Sequence, residues 1–508
     1  MIEMVPIMQD RIFEQQFLLY TLMAKPTDRL YISYGQSDSA GKSRRPSALW
    51  TRIGKIFPHG VASGGEALSG VTLPEPYLAE GEWMIQNGKG AAARRWYRRH
   101  GFRERIRKLS CAPQEKTPQE HLGQEEMRAL LDMDNRLFSI TQMERYARCP
   151  FSYYLRYGLS LKERLVLQVR PLDDGNVLHE ILEEAGEWFA KLWEQGASQE
   201  SSADMVEELI AKREEEYGAY QSSSRYRYYW SKLKYTAQRA VHIMQEQLKA
   251  GEFQPKFFEW TFGAGSGRSA RPVEIPLDTG ETLKLQGKID RVDILQEEEK
   301  CYVRVVDYKS GNTKFSESDI YAGIGLQLPV YLEAAQEAVE QSTGREAVPA
   351  GIFYFHLTPE YVKGQEIKTP QELADAILKT GRLEGLLLED PALARKMDGE
   401  MAGSSTILPV RLKADGSFYK DSPVASREEF HILEKFVRRK LKTMGESIAG
   451  GNIEARPLMQ SNREQTACDY CEYKGVCRFE PKASPDLYRP MEAVSREEFW
   501  ERIKKEVT

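Results

Sequence analysis

Val305-Val306-Asp307-Tyr308-Lys309 is a short β-branched run that carries a carboxylate and an ammonium group two residues apart. In a strand, residues i and i+2 share a face, so Asp307 and Lys309 project together. Burying a charge is costly unless it is paired or bound to a metal. Two opposite charges aimed from a strand end into one site point to a metal ligand beside a cation that handles an oxyanion. The same five residues also suit a surface strand with an incidental ion pair, so the surroundings must decide. Upstream, Gly287-Lys288-Ile289-Asp290-Arg291-Val292-Asp293 occupies the preceding strand. A hairpin turning between about Leu295 and Tyr302 brings Asp290 beside Asp307. Two carboxylates converging next to a lysine form a hard oxygen site suited to Mg2+ or Mn2+. Such an ion acidifies and orients a water and stabilises charge on a pentavalent phosphorus. Lys309 would help to place the water and to neutralise that charge. His179, on a helix beside the apolar residues Val177, Leu178, Ile181 and Leu182, is either a nitrogen ligand or a satisfied core histidine.

Working outward, strand character fills residues 257–262, 273–277, 283–295 and 302–309, with turns at 263–267 and 279–280. A helix is expected at about 324–340 and a further strand at 352–356. Before the strands, Thr141-Gln142-Met143-Glu144 resembles a capping box that opens a helix running on through Tyr146, Cys149 and Tyr153. Helices follow over 175–193 and 203–250. A basic helix is expected at 427–449, and a charged helical tail ends the chain. Helix, several strands, helix, strand indicates an α/β or α+β core, a mixed sheet flanked by helices.

The 508 residues suit roughly two to four domains. Hydrophobic residues at 41% and charged residues at 29% are those of a soluble globular protein. A net charge of −5 does not announce a nucleic-acid binder, although local patches decide such binding. No basic-then-apolar leader is seen, and no apolar run approaches the ~20 residues of a membrane span. Six cysteines do not make a disulfide scaffold at this length, so a cytoplasmic location with reduced thiols is expected.

Residues 11–34 read as an amphipathic helix followed by a strand at 28–34. The loop after it, GQSDSAGKS from Gly35 to Ser43, has five residues between Gly35 and Gly41, one too many for a phosphate-binding loop. Residues 89–108 are strongly basic, with Arg94, Arg95, Arg98 and Arg99 interleaved with Trp96, Tyr97 and Phe102. A second such stretch carries Arg225, Arg227, Lys232 and Lys234 among Tyr226, Tyr228, Tyr229, Trp230 and Tyr235. Both suit phosphate neutralisation and base stacking, and both also suit a solvated helix face with its aromatics in a core. Residues 112–125 are polar with two prolines and read as a linker.

Cys468, Cys471 and Cys477 are spaced C-x2-C-x5-C, and Cys149, followed by Pro150, lies more than three hundred residues earlier. Three clustered thiols need a fourth ligand, for which Cys149 is the best candidate. Cys111 and Cys301 stand elsewhere. Four cysteines serve either Zn2+ or an iron–sulfur cluster. Zinc modules usually draw ligands from two local knuckles, which a ligand so far upstream does not match.

Gly175 to His179, Gly287-Lys288-Ile289-Asp290-Arg291, Asp307-Tyr308-Lys309 and Gln327-Leu328-Pro329-Val330-Tyr331, in that order, resemble the PD-(D/E)XK nucleases of the RecB type. The resemblance implies a restriction-endonuclease-like core. It makes His179, Asp290 and Asp307 the metal ligands, Lys309 catalytic, and Gln327 and Tyr331 supports of the site that contact DNA. The cysteines resemble those of the AddB-type nucleases, B subunits of bacterial AddAB helicase–nucleases, in which a [4Fe–4S] cluster staples the nuclease domain. On that likeness residues 1–110 are the remnant of a degenerate superfamily I helicase domain, and 111–138 are a linker. Residues 139–482 are the nuclease domain and 483–508 the tail. At Ala24-Lys25-Pro26-Thr27 the usual threonine–arginine pair is absent. The family has a long region before the segment matched here, so a truncated reading frame is expected. The implied function is a Mg2+-dependent DNA exonuclease that trims the 5′-terminated strand at double-strand breaks for recombinational repair. Its implied partners are single-stranded DNA, duplex ends and an A subunit, with no membrane. A DNA-end scaffold that has lost its chemistry, or another iron–sulfur nuclease of phage or CRISPR adaptation, are the rival readings. The first predicts a missing ligand or lysine, and none is missing.

Overall fold

The computed structural model describes residues 8–25, 47–56, 95, 99 and most of 121–507. Within the last span the gaps are 133–134, 163–173, 195–202, 217–223, 264–269, 312, 358–368, 402, 461–465, 478 and 480–487. The chain divides into two compact units, Met1–Lys116 and Thr117–Thr508. The first contains α1 (Met8–Ala24) and α2 (Ala48–Ile56). The strand expected at 28–34, the GQSDSAGKS loop and Cys111 lie outside the described residues. So does the basic stretch 89–108, Arg94 and Arg98 included, apart from the exposed helical residues Arg95 and Arg99.

The second unit opens with α3 (Gln124–Leu131), which buries Met127 and Leu131. This helix stands inside 111–138, where a linker was expected. Both prolines of the polar stretch, at 113 and 118, precede it in sequence, and its apolar residues recur at helical spacing. Next come β1 (Leu137–Ser139) and α4 (Ile140–Arg148). The capping box belongs to Ser139 and Gln142, each accepting from the other's backbone amide, two residues before the expected Thr141. Nor does α4 continue through Cys149. The Pro150 ring disfavours helical geometry in the residue before it. Cys149 is accordingly extended, at φ −166°, and Pro150 starts α5 (Pro150–Tyr153), followed by a π turn over Tyr154–Gly158. Then α6 (Asp174–Glu194), α7 (Ala203–Glu216) and α8 (Ser224–Lys249) pack together.

The sheet is built from β2 (Gln254–Phe262), β3 (Val273–Pro276), β4 (Thr282–Gln296) and β5 (Lys300–Lys309). After α9 (Glu317–Ala322) and α10 (Gln327–Thr343) come β6 (Glu346–His356), α11 (Pro370–Thr380), β7 (Glu384–Leu388), α12 (Pro391–Met397) and β8 (Val424–Ala425). Strand order is β1-β4-β5-β6-β7-β8, with β2 and β3 also on β4. The β4–β5 pair is the antiparallel hairpin read from the sequence, and β5–β6 is parallel across α9 and α10, giving the expected mixed sheet. On one face Arg291, Asp293 and Arg304 are fully buried as an ion cluster, with Arg304 stacked 4.8 Å from the Phe253 ring centre. The chain continues through α13 (Arg427–Ala449), β9 (Leu458–Met459), α14 (Lys474–Cys477), β10 (Arg489–Pro490) and α15 (Arg496–Val507). The terminal helix is docked. Phe499 and Ile503 are buried, and Phe499 meets Phe436 of α13 edge to face.

Candidate active site

The strand register sets three carboxylates in a row. Phe258 pairs with Arg291 and Trp260 with Ile289, so Glu259 falls opposite Asp290. Arg291 pairs with Val306, so one further step brings Asp307 opposite Asp290 from the other side. Two residues along each strand, Lys288 and Lys309 face the same way. His179, near the start of α6, reaches this row: its Nδ1 lies 3.2 Å from both Asp290 Oδ1 and Glu259 Oε1. Helix α6 approaches β2 closely because Gly186 has no side chain; a Cβ there would lie 2.1 Å from the Phe258 ring.

Asp290 and Asp307 are 6% and 2% exposed. The Tyr308 amide donates to Asp290 Oδ2 at 2.5 Å. Lys309 Nζ lies 2.5 Å from Asp307 Oδ2, donates to Gln327 Oε1 at 2.8 Å and sits 5.2 Å from the Tyr354 ring centre. Gln327 Nε2 in turn donates to Tyr331 Oη at 3.0 Å. Tyr331 can pack here because position 287 is glycine: a Cβ would lie 2.8 Å from Tyr331 Cε1 and 2.6 Å from Phe262. Gln327 is the first residue of α10, and the Leu326 amide before it donates to Glu144 Oε1 at 2.9 Å. A carboxylate from α4 thus serves a helix start that has no cap of its own.

Burial drives Asp307 well above the ordinary carboxylate range, with Asp290 raising it further against the pull of Lys309. Burial likewise lifts Glu144 to about 7, less the effect of the Leu326 amide and Arg148. For His179 burial opposes the charged ring, but hydrogen bonds to Asp290 and Glu259 outweigh it and push the ring up to about 10. Burial pushes the Tyr331 phenol far up, which keeps it a neutral hydrogen-bonding group.

His179, Asp290, Asp307, Lys309, Gln327 and Tyr331, widely spaced in sequence, are therefore assembled at one place. Gln327 and Tyr331 are part of the lysine's tether, and Tyr331 is buried. Sequence reasoning missed Glu259, Glu144 and Tyr354. A signal for Glu259 existed, since it is the lone carboxylate in Phe257-Phe258-Glu259-Trp260-Thr261-Phe262. Among the described residues, His179, Glu259 and Asp290 are the one group of three whose donor atoms all lie within 4.8 Å of one another. Nitrogen and carboxylate donors of this kind suit a hard divalent ion. Asp307 Oδ2, buried and without a hydrogen bond of good geometry although Lys309 is beside it, leaves an oxygen for such an ion. The second basic–aromatic stretch divides by face. Arg227, Tyr228, Lys232 and Tyr235 of α8 are exposed, whereas Trp230 and Leu233 turn inward and Lys234 is half-buried. The side chain of Arg225 is outside the described residues.

Cys149, Cys468, Cys471 and Cys477 line a cavity of about 270 Å3 with Phe151 and Tyr488. Burial and the neighbouring thiols push Cys468 up to about 11. Thiols that raise one another in this way call for a cationic centre to hold them as thiolates. Four cysteines around one cavity serve either Zn2+ or an iron–sulfur cluster. Arg145 to Glu472, at 2.9 Å, and the Tyr473 hydroxyl to the Leu161 carbonyl, at 2.8 Å, tie the same two segments. Cys301 is buried in β5.

Residues 137–478 match the PD-(D/E)XK nuclease superfamily. Proteins named as the B subunit of an ATP-dependent helicase/deoxyribonuclease are similar over nearly the whole chain. The one from Thermoanaerobacter sp. (strain X514) is 33% identical, over 98% of this chain and 45% of its own length. That from Clostridium kluyveri is 33% identical, over 100% and 46%. That from Caldanaerobacter subterraneus subsp. tengcongensis is 34% identical, over 98% and 44%. The chain thus spans a little under half the length of these relatives. No helix among the described residues is long and apolar enough to cross a membrane.

Proposed function

Because the chain belongs to the PD-(D/E)XK nuclease superfamily, we propose that its second unit is a Mg2+- or Mn2+-dependent deoxyribonuclease, the nuclease arm of a complex that processes broken DNA ends. The observation that carries this reading is Lys309, held by Gln327 beside a buried row of carboxylates. His179, Asp290 and Asp307, with Glu259 nearby, are the residues that would hold the metal. The ion, when bound, supplies Lewis acidity and a water of lowered pKa. Lys309 holds its charge where the negative charge of an attacked phosphodiester grows, and burial strengthens that interaction. The tether from Tyr331 through Gln327 restricts the lysine to one position, so little reorganisation is needed during reaction. Arg227 and Lys232, exposed with Tyr228 and Tyr235 on α8, are a surface for the DNA strand.

Purified protein with Mg2+ should digest single-stranded DNA. Asp307→Ala and Lys309→Ala should each reduce this to background; retained cleavage in both overturns the assignment. The relatives named as B subunits support pairing with an A subunit that supplies translocation. Co-expression with such a partner should then yield ATP-dependent degradation of duplex ends. We also infer that the four cysteines hold a [4Fe–4S] cluster. It predicts a brown protein whose visible absorbance bleaches on oxidation, and a colourless protein with stoichiometric zinc would refute it.

A further inference from the structure

Glu259 is the member of the carboxylate row that the expected ligand set leaves out. We infer that Glu259 is itself a ligand of the divalent cation, an inference that rests on the metal-dependent reading above. Its Oε1 belongs, with His179 and Asp290, to the one described group of three whose donor atoms lie within 4.8 Å of one another. Only 5% of the Glu259 side chain is exposed. Beside this group lies Asp307, 2% exposed, whose Oδ2 has no hydrogen bond of good geometry.

The backbone agrees. Glu259 has φ +43° in the middle of β2, a conformation that residues other than glycine rarely adopt. The pairs on either side, Phe258 with Arg291 and Trp260 with Ile289, are kept. Apart from a register shift between Pro255 and Phe257, the strand departs from regular geometry at Glu259, where its carboxylate meets His179. Such outliers persist where the surroundings over-determine them, and they gather at functional sites.

Charge balance points the same way. A His179 that ligates a metal is neutral, and beside it the carboxylates of Glu259, Asp290 and Asp307 outnumber the ammonium groups of Lys288 and Lys309 by one. Without Glu259 the two signs cancel and the pull on a divalent ion weakens. Lys288 pairs with Glu259 Oε2 and leaves Oε1 to face His179. It holds the carboxylate in place and competes with the cation for it.

The test is a calorimetric titration of the DNA-free full chain with Mn2+, comparing wild type, Glu259→Gln, Asp290→Asn and Lys288→Gln. Glu259→Gln is expected to weaken Mn2+ binding by about tenfold or more. Lys288→Gln should tighten it several-fold. Glutamine still offers His179 an acceptor oxygen, so a Glu259 that only orients the ring would leave Mn2+ affinity within about twofold of wild type, and that result overturns the inference. If the glutamine variant melts far below wild type without metal, Lys288→Gln decides. Unchanged or weaker Mn2+ binding in that variant overturns the inference as well. Weakened binding in Asp290→Asn with none in Glu259→Gln rejects this inference alone, whereas no effect in either rejects the metal-dependent reading beneath it.

Discussion

Lys309 has a flexible stem, and what fixes it is Gln327. Removing the tether should therefore damage chemistry more than metal binding. Gln327→Ala is expected to lower the cleavage rate by about 10- to 100-fold, the usual effect of losing an orienting partner, with Mn2+ affinity little changed. A matching loss of Mn2+ affinity would place Gln327 in the metal shell instead. Glu144 offers a second prediction, in stability. Its folded pKa of about 7 stands above the ordinary 4.5, so between these values the folded chain keeps a proton that the unfolded chain has released. The stability this confers is full below pH 4.5 and is lost as pH rises through 7. Glu144→Gln still accepts from the Leu326 amide and carries no charge to bury. In EDTA it should gain about 1 to 2 kcal/mol over wild type at pH 8 and nothing at pH 4. Glu333 titrates in the same window, so melting curves of the variant should show a flatter pH slope rather than none.

At the scale of elements, the sheet depends on a charge cluster as much as on apolar packing. Asp293 is shared by two fully buried guanidinium groups, Arg291 and Arg304. Asp293→Ala leaves both unpaired and should cost roughly 3 to 5 kcal/mol, read as a large fall in the denaturant midpoint. Strands β4 and β5 were legible in the sequence because β-branched runs and a polar turn mark a hairpin, and α13 because its apolar residues keep helical spacing. Site members on those elements, Asp290, Asp307 and Lys309, were legible for the same reason, as charges inside buried runs. Glu259 left only a fainter mark, as the lone carboxylate of an aromatic strand, and its exact place depends on a positive φ that composition does not announce. In sequence Thr141 reads as a cap as readily as Ser139, because both hydroxyls stand near a side chain that can answer them. The break at Cys149 was written in Pro150, but the cysteine drew attention from the proline.

Across the whole molecule, the cysteine cavity joins residues 149 and 468, far apart along the chain. Closing so long a loop restrains the unfolded chain, and ligand binding is folding free energy when the site exists only in the folded state. Cys149→Ser should therefore lose the visible absorbance and lower the melting temperature of the second unit. A variant that keeps both would place the fourth ligand elsewhere. The same wiring imposes an order on manufacture. Asp307 leaves the ribosome 161 residues ahead of Cys468. At about 5 to 20 residues per second, the catalytic hairpin exists for roughly 10 to 30 s before the closing thiols are made. If the proposed cluster forms, a nascent chain carries Asp307 and Lys309 first and receives its clasp later, so competence for cleavage waits until Cys477 has been made.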